Sequence, residues 1–123
     1  MNEITNKQIR RVARKAHIRK RVNGTSERPR LTVFRSHKNI YAQIIDDSAG
    51  RTLVAASSME APMRQELGEQ RCNKAAAAKV GQALAVKASQ AGIRKVVFDR
   101  NGYPFHGRIR ELAEAARKGG LEF

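Results

Sequence analysis

Eight cations stand between positions 7 and 21: Lys7, Arg10, Arg11, Arg14, Lys15, Arg19, Lys20 and Arg21, with His17 among them and no acid. Fixed positive charge at that density repels itself; it is tolerated in water and favoured against a polyanion. Lys and Arg neutralise phosphates and release counterions, so contact through such a stretch is strong and salt-sensitive without reading sequence. Two further sets mix cations with other groups. Arg35, Ser36, His37, Lys38 and Asn39, followed by Tyr41 and Gln43, gather guanidinium, hydroxyl, imidazole and amide groups. That mixture suits phosphate, sugar and unstacked-base contacts. Arg100, Tyr103, Phe105, His106 and Arg108 share residues 99–108 with Gly102. A loop there would open a helix whose free N–H groups suit a phosphate. Each set also has a plainer reading: a solvated tail, a hairpin tip, and aromatic plugs of a core.

Catalytic chemistry has less support. Asp46, Asp47 and Asp99 fall at predicted strand ends, where carboxylates could hold Mg²⁺ for a nuclease. However, Asp46 and Asp47 before Ser48 also form an ordinary turn composition, and no further carboxylate is placed to join them. His17, His37, His106 and Cys72 lack metal-ligand spacing. There is no phosphate-binding glycine loop and no strained serine turn. The expectation is no enzyme, no cofactor and no metal.

The cationic stretch needs a body to aim it. The chain has 123 residues, net charge +14 and 41% hydrophobic residues, enough for one modest core. Residues 1–30 hold ten basic and two acidic side chains, so this first quarter carries more than half of the excess charge. Nucleic acid therefore leads the partner classes. Cys72 is the only cysteine, which forbids an intrachain disulfide and fits a reducing compartment. No apolar run reaches the ~20 residues of a membrane span.

Ile9, Val12, Ala13 and Ala16 recur at helical spacing, predicting an amphipathic helix with a narrow apolar stripe and a broad cationic face. Such a helix is expected to be loosely ordered when free and fixed on binding. Gly24 and Pro29 punctuate a linker. Residues 1–29 are accordingly read as a basic arm and linker, and residues 30–123 as the globular domain. Strands are predicted over 30–35, 40–46 and 51–57, joined by short polar turns as an antiparallel meander. Pro62 could open a short helix through Leu67, ended by Gly68. Asn73 caps a predicted helix over 74–91, and Gly92 ends it. A strand follows over 93–98, where Val96, Val97 and Phe98 in a row predict burial on both faces. The last helix spans 108–118 and stops at Gly119 and Gly120, with Leu121 and Phe123 placed to tuck back. The fold class is α/β (α+β): a mixed sheet, a meander followed by helix–strand–helix, and helices packed on one face.

Several segments in this order resemble the family of bacterial large-subunit ribosomal proteins that bind 5S rRNA, the eighteenth in the large-subunit naming. They are Arg28-Pro29-Arg30-Leu31, then Arg35-Ser36 leading to Ile40-Tyr41-Ala42-Gln43-Ile44-Ile45-Asp46-Asp47. Gly50 through Leu53 to Ala55-Ala56-Ser57 follows, then Asn73 ahead of the alanine-rich helix with Val80-Gly81. Gly92-Ile93, Val97-Phe98-Asp99-Arg100, Gly102-Tyr103, His106-Gly107-Arg108 and Gly120-Leu121 complete the series. One departure is Cys72, where family members often have glycine; it questions whether the same turn is kept.

The resemblance implies a structural protein of the cytoplasmic ribosome's large subunit, with no catalytic activity. It implies binding to 5S rRNA, contacts to 23S rRNA in the central protuberance, and neighbouring ribosomal proteins as further partners. Carried over by position, the RNA-binding set is Lys7, Arg10, Arg11, Arg14, Lys15, His17, Arg19, Lys20 and Arg21 in the arm. In the body it is Arg30, Arg35, Ser36, His37, Lys38, Tyr41, Gln43, Arg100, Tyr103, His106 and Arg108. The alternatives are a nucleoid-type DNA-binding protein and, further off, a metal-dependent nuclease.

Overall fold

The computed structural model describes residues 10–14, 24–36, 38–60, 65, 67–68 and 72–123. Three strands follow one another: β1 (Arg30–Arg35), β2 (Ile40–Asp46) and β3 (Arg51–Ser57). Helix α1 (Lys74–Gln90), strand β4 (Val97–Asp99) and helix α2 (Gly107–Lys118) complete the order. The sheet runs β3-β2-β1-β4, antiparallel throughout the meander and parallel between β1 and β4. This is the predicted mixed sheet.

Period-two alternation decides which face is covered. Leu31 and Val33 of β1 and Ile40, Ala42 and Ile44 of β2 point to one side and are buried. They meet Ala77, Val80, Leu84 and Ala88 of α1 and Ile109, Leu112 and Ala116 of α2 in one core. Thr32, Phe34, Tyr41 and Gln43 point to the opposite side, with Thr32 paired to Gln43 and Phe34 to Tyr41. No described helix lies on that side, and Phe34 remains 49% exposed.

The two helices approach each other closely because Gly81 has no side chain. A Cβ there would stand 2.3 Å from the Leu112 carbonyl oxygen. Asn73 caps α1, its side-chain oxygen accepting from the Ala76 N–H at 2.8 Å. Gly92, at φ 77°, supplies the left-handed residue just beyond α1's last turn.

The fourth strand differs from its sequence reading. Only residues 97–99 join β1. Residues 94–96 pair instead with the C-terminal tail: the Glu122 N–H donates to the Arg94 carbonyl at 2.9 Å and the Val96 N–H to the Glu122 carbonyl at 3.0 Å. Val96 is buried, but Val97 and Phe98 are only half-buried, because β4 is an edge strand covered on its helix side by the tail. Leu121 is buried and the Phe123 ring stacks on Phe98 with centroids 5.4 Å apart. Gln65 and Leu67 are helical. The rest of the expected short helix lies outside the described residues.

Candidate RNA interface

Arg30 stands at the root of the domain, where the linker enters β1. Its guanidinium holds Asp47 with Nε and Nη2, at 3.0 and 3.1 Å, and Asp99 with Nη1 at 2.8 Å. Asp47 also accepts from the Gly24 N–H at 2.6 Å, which fastens the linker to the β2–β3 turn. Burial alone would lower the Arg30 pKa. Hydrogen bonds and charge from Asp47 and Asp99 outweigh it and raise the pKa above the ordinary value. Arg30 therefore stays cationic and is spent inside the protein. Two of the three carboxylates weighed as metal ligands, Asp47 and Asp99, instead share a guanidinium. Asp46 turns away from them, its Oδ1 accepting from the Ser48 hydroxyl at 2.5 Å and from two turn N–H groups. Among the described residues no group of three or more His, Cys, Asp and Glu side chains is placed to hold a metal ion.

The loop after β4 receives the arm. Asp99 accepts from the Asn101 N–H at 2.9 Å, and Asn101 takes φ 55° and donates through Nδ2 to the Val33 carbonyl at 3.0 Å. The loop is thus pinned to β1, and it presents Gly102 and Tyr103. Residues 10–14 form a helical turn against it. Arg14 Nε donates to the Gly102 carbonyl at 2.9 Å, and the Arg11 guanidinium lies 4.2 Å from the centre of the Tyr103 ring. Arg35 lies 5.0 Å from the same ring. The Tyr103 hydroxyl contacts the Arg35 backbone, accepting from its N–H and donating to its carbonyl, each at 3.4 Å. Tyr103 is buried, so its ring holds two arginines in place by cation–π attraction and is not free to stack on a base.

The hairpin between β1 and β2 is closed by Ser36, whose hydroxyl accepts from the Asn39 N–H at 3.1 Å. Cys72 braces the same turn: its thiol meets the Ser36 and Asn39 carbonyls, and its own carbonyl accepts from Arg108 at 2.9 Å. The cap at Asn73 is kept beside it, so cysteine at 72 preserves the helix start. Arg35, Lys74, His106 and Arg108 line a cleft of about 440 Å³ between the N-terminal ends of α1 and α2. Neither helix has an acid in its first turn. Cations and helix ends of the same sign make this cleft attractive to a phosphate.

Other expected contact residues are placed as follows. Arg10, Lys38, Gln43 and His106 are exposed; Arg14, Arg35, Tyr41, Arg100 and Arg108 are half-buried. Arg100 reaches back to the Tyr103 carbonyl at 3.2 Å. Lys7, Lys15, His17, Arg19, Lys20, Arg21 and His37 lie outside the described residues. Sequence reading missed Phe34 as a surface group. Its place on the second phase of β1, opposite Tyr41, was the available signal.

A basic arm root, a basic cleft and an open sheet face lie around one end of a small α/β body. The family model for ribosomal L18 of archaea, bacteria, mitochondria and chloroplasts matches residues 5–123. The chain belongs to the ribosomal L18 family. The chain is 60% identical over 117 residues to the large ribosomal subunit protein uL18 of Porphyromonas gingivalis, covering 95% of this chain and 97% of the relative. The uL18 of Symbiobacterium thermophilum is 60% identical over 110 residues, 89% of each chain. That of Herpetosiphon aurantiacus is 54% identical over 123 residues, the full length of both. L18 proteins are non-enzymatic structural proteins of the large ribosomal subunit that bind 5S rRNA. No helix among the described residues is long and apolar enough to cross a membrane.

Proposed function

We propose that this L18 chain attaches 5S rRNA to 23S rRNA in the central protuberance of the large subunit, with neighbouring ribosomal proteins as further partners. In this reading residues 1–29 are an RNA-binding arm, and residues 30–123 are the body that fixes its direction. The observation that carries it is the seating of Arg11 and Arg14 on the loop at Gly102 and Tyr103. That contact sets Arg11 and Arg14 beside Arg35 and His106, which also line the cleft at Arg108, and in this reading arm and body act as one positive surface. Arg10, Lys38, His106 and the arm cations meet phosphates, and Tyr41 and Gln43 meet the RNA across the open sheet face. Arg30, Tyr103 and Arg100 act from within by holding the linker, the arginines and the loop.

Salt dependence tests this. Six phosphate contacts through the arm steepen the slope of log affinity against log salt by about 4–5. A chain lacking residues 1–22 keeps its folded body and loses most of that slope on 5S rRNA. An unchanged slope removes the arm from the mechanism. Competition separates the nucleoid alternative: duplex DNA that displaces folded 5S rRNA at equal concentration refutes the ribosomal reading.

A further inference from the structure

The sheet has one face without a covering layer among the described residues. A hollow of about 610 Å³ lies on it, lined by Thr32, Phe34, Tyr41, Gln43, Ile45 and Asn101 among others. Phe34 and Tyr41 pair across β1 and β2, with ring centroids 5.8 Å apart and planes inclined by 41°. Phe34 is 49% exposed and Gln43 is exposed beside the rings. The tyrosine is steadied by its hydroxyl, which lies 2.9 Å from the Met59 sulfur. Flat rings with hydrogen-bonding side chains alongside are what unpaired bases need: a surface to stack on and groups that meet their edges.

Charge gives the direction. At the far end of the face Arg30 is held between Asp47 and Asp99, which neutralise its charge. At the aromatic end Arg35 and Lys38 follow Phe34 in the chain. Asn101, which lines the hollow, adjoins Gly102, where Arg14 is seated. A strand of nucleotides with its bases on Phe34 and Tyr41 would therefore find cations for its phosphates at the aromatic end. A protein partner seeking an apolar seat would find little besides Ile45 and the rings.

We infer that Phe34, with Tyr41, is a stacking platform for unpaired bases of the bound rRNA, and that Gln43 contacts their edges. This rests on the RNA-binding reading above and adds to it a means of discrimination that the cationic arm lacks. Stacking releases no phosphate counterions, so it contributes affinity without salt dependence.

The experiment measures binding of the full-length chain to folded bacterial 5S rRNA over a range of salt concentrations. Phe34→Ala weakens binding by about 5- to 150-fold, the range of aromatic–base stacking, with the salt slope unchanged. Phe34→Tyr restores binding; Phe34→Leu, apolar but not flat, does not. A Phe34→Ala chain that binds within twofold of the unaltered one overturns the platform, and so does a Phe34→Leu chain that binds normally, the result expected of a seat for a protein. An unaltered chain that fails to bind 5S rRNA refutes the RNA-binding reading itself. A second measurement does not depend on the Phe34 variants folding. The chain has two tyrosines and no tryptophan, so in Tyr103→Phe the emission comes from Tyr41 alone. The rRNA quenches that emission if bases stack there, and unchanged emission at saturation overturns the inference.

Discussion

Replacing Arg30 by methionine tests whether the domain is held together at its root by a shared guanidinium. Methionine keeps much of the apolar stem and removes three charge-assisted hydrogen bonds of 2.8–3.1 Å. The two acids are left in different positions. The side chain of Asp99 is 1% exposed and cannot recover water; that of Asp47 is 16% exposed and keeps its Gly24 contact. Removing one partner of a buried pair costs about 3–5 kcal/mol, chiefly because a charge is stranded. Since Asp47 can partly rehydrate, the lower end applies, about 3 kcal/mol. That is a large share of the roughly 5–15 kcal/mol holding an ordinary domain. Urea unfolding followed by far-ultraviolet circular dichroism reads it as a lower midpoint. Melting falls by on the order of 10 °C. The stranded charge is tested by adding Asp99→Asn. Alone it destabilises; with Arg30→Met it costs little or restores stability, giving a coupling of about 1–3 kcal/mol. A loss under about 1 kcal/mol, with the two substitutions additive, refutes the reasoning.

Two other perturbations follow from local geometry. Gly81→Ala gains up to about 1 kcal/mol of helix propensity. It nevertheless destabilises by about 1–3 kcal/mol in the same urea assay, because the added carbon meets the Leu112 carbonyl and the Ala115 side chain. For Asp46, the Ser48 hydroxyl first, and then the Ala49 and Ser48 N–H groups and Arg51, hold the carboxyl below the usual carboxylate range. A depressed folded pKa contributes stability that is present above the unfolded value and lost as pH falls through the folded one. The contribution therefore fades below about pH 4, and Asp46→Asn flattens that part of an acid-unfolding curve.

Local pattern made most of the elements legible. Alternation placed Leu31 and Val33 inward and Phe34 outward, and Asn73 and Gly92 bracketed α1 closely. The end of α2 at Lys118 was announced by two glycines. What local pattern could not show was the use made of individual groups across the chain. Arg30, Asp47 and Asp99 are far apart in sequence, and nothing near any of them reveals that they meet. Tyr103 looked like a flat surface for a base, yet arginines from two other segments cover it. Residues 93–96 belong to the strand expected over 93–98. Their partner proved to be the tail, a competitor that propensity does not register.

The pairing of β1 also imposes an order of events during synthesis. Its neighbour on one side is β2, the next strand to be made; its neighbour on the other is β4, made only after α1. Chains emerge N-terminus first, so the arm and the meander are outside the ribosome while one edge of β1 still lacks its mate. An unpaired edge invites pairing with a second nascent copy, and the arm's own charge is the protection then available, since like-charged chains repel. The loop that seats Arg11 and Arg14 comes later still, and Phe123 after it. More than half of the excess positive charge is therefore present early and direction comes late: a chain that stops short of residue 97 is a polycation without an orientation.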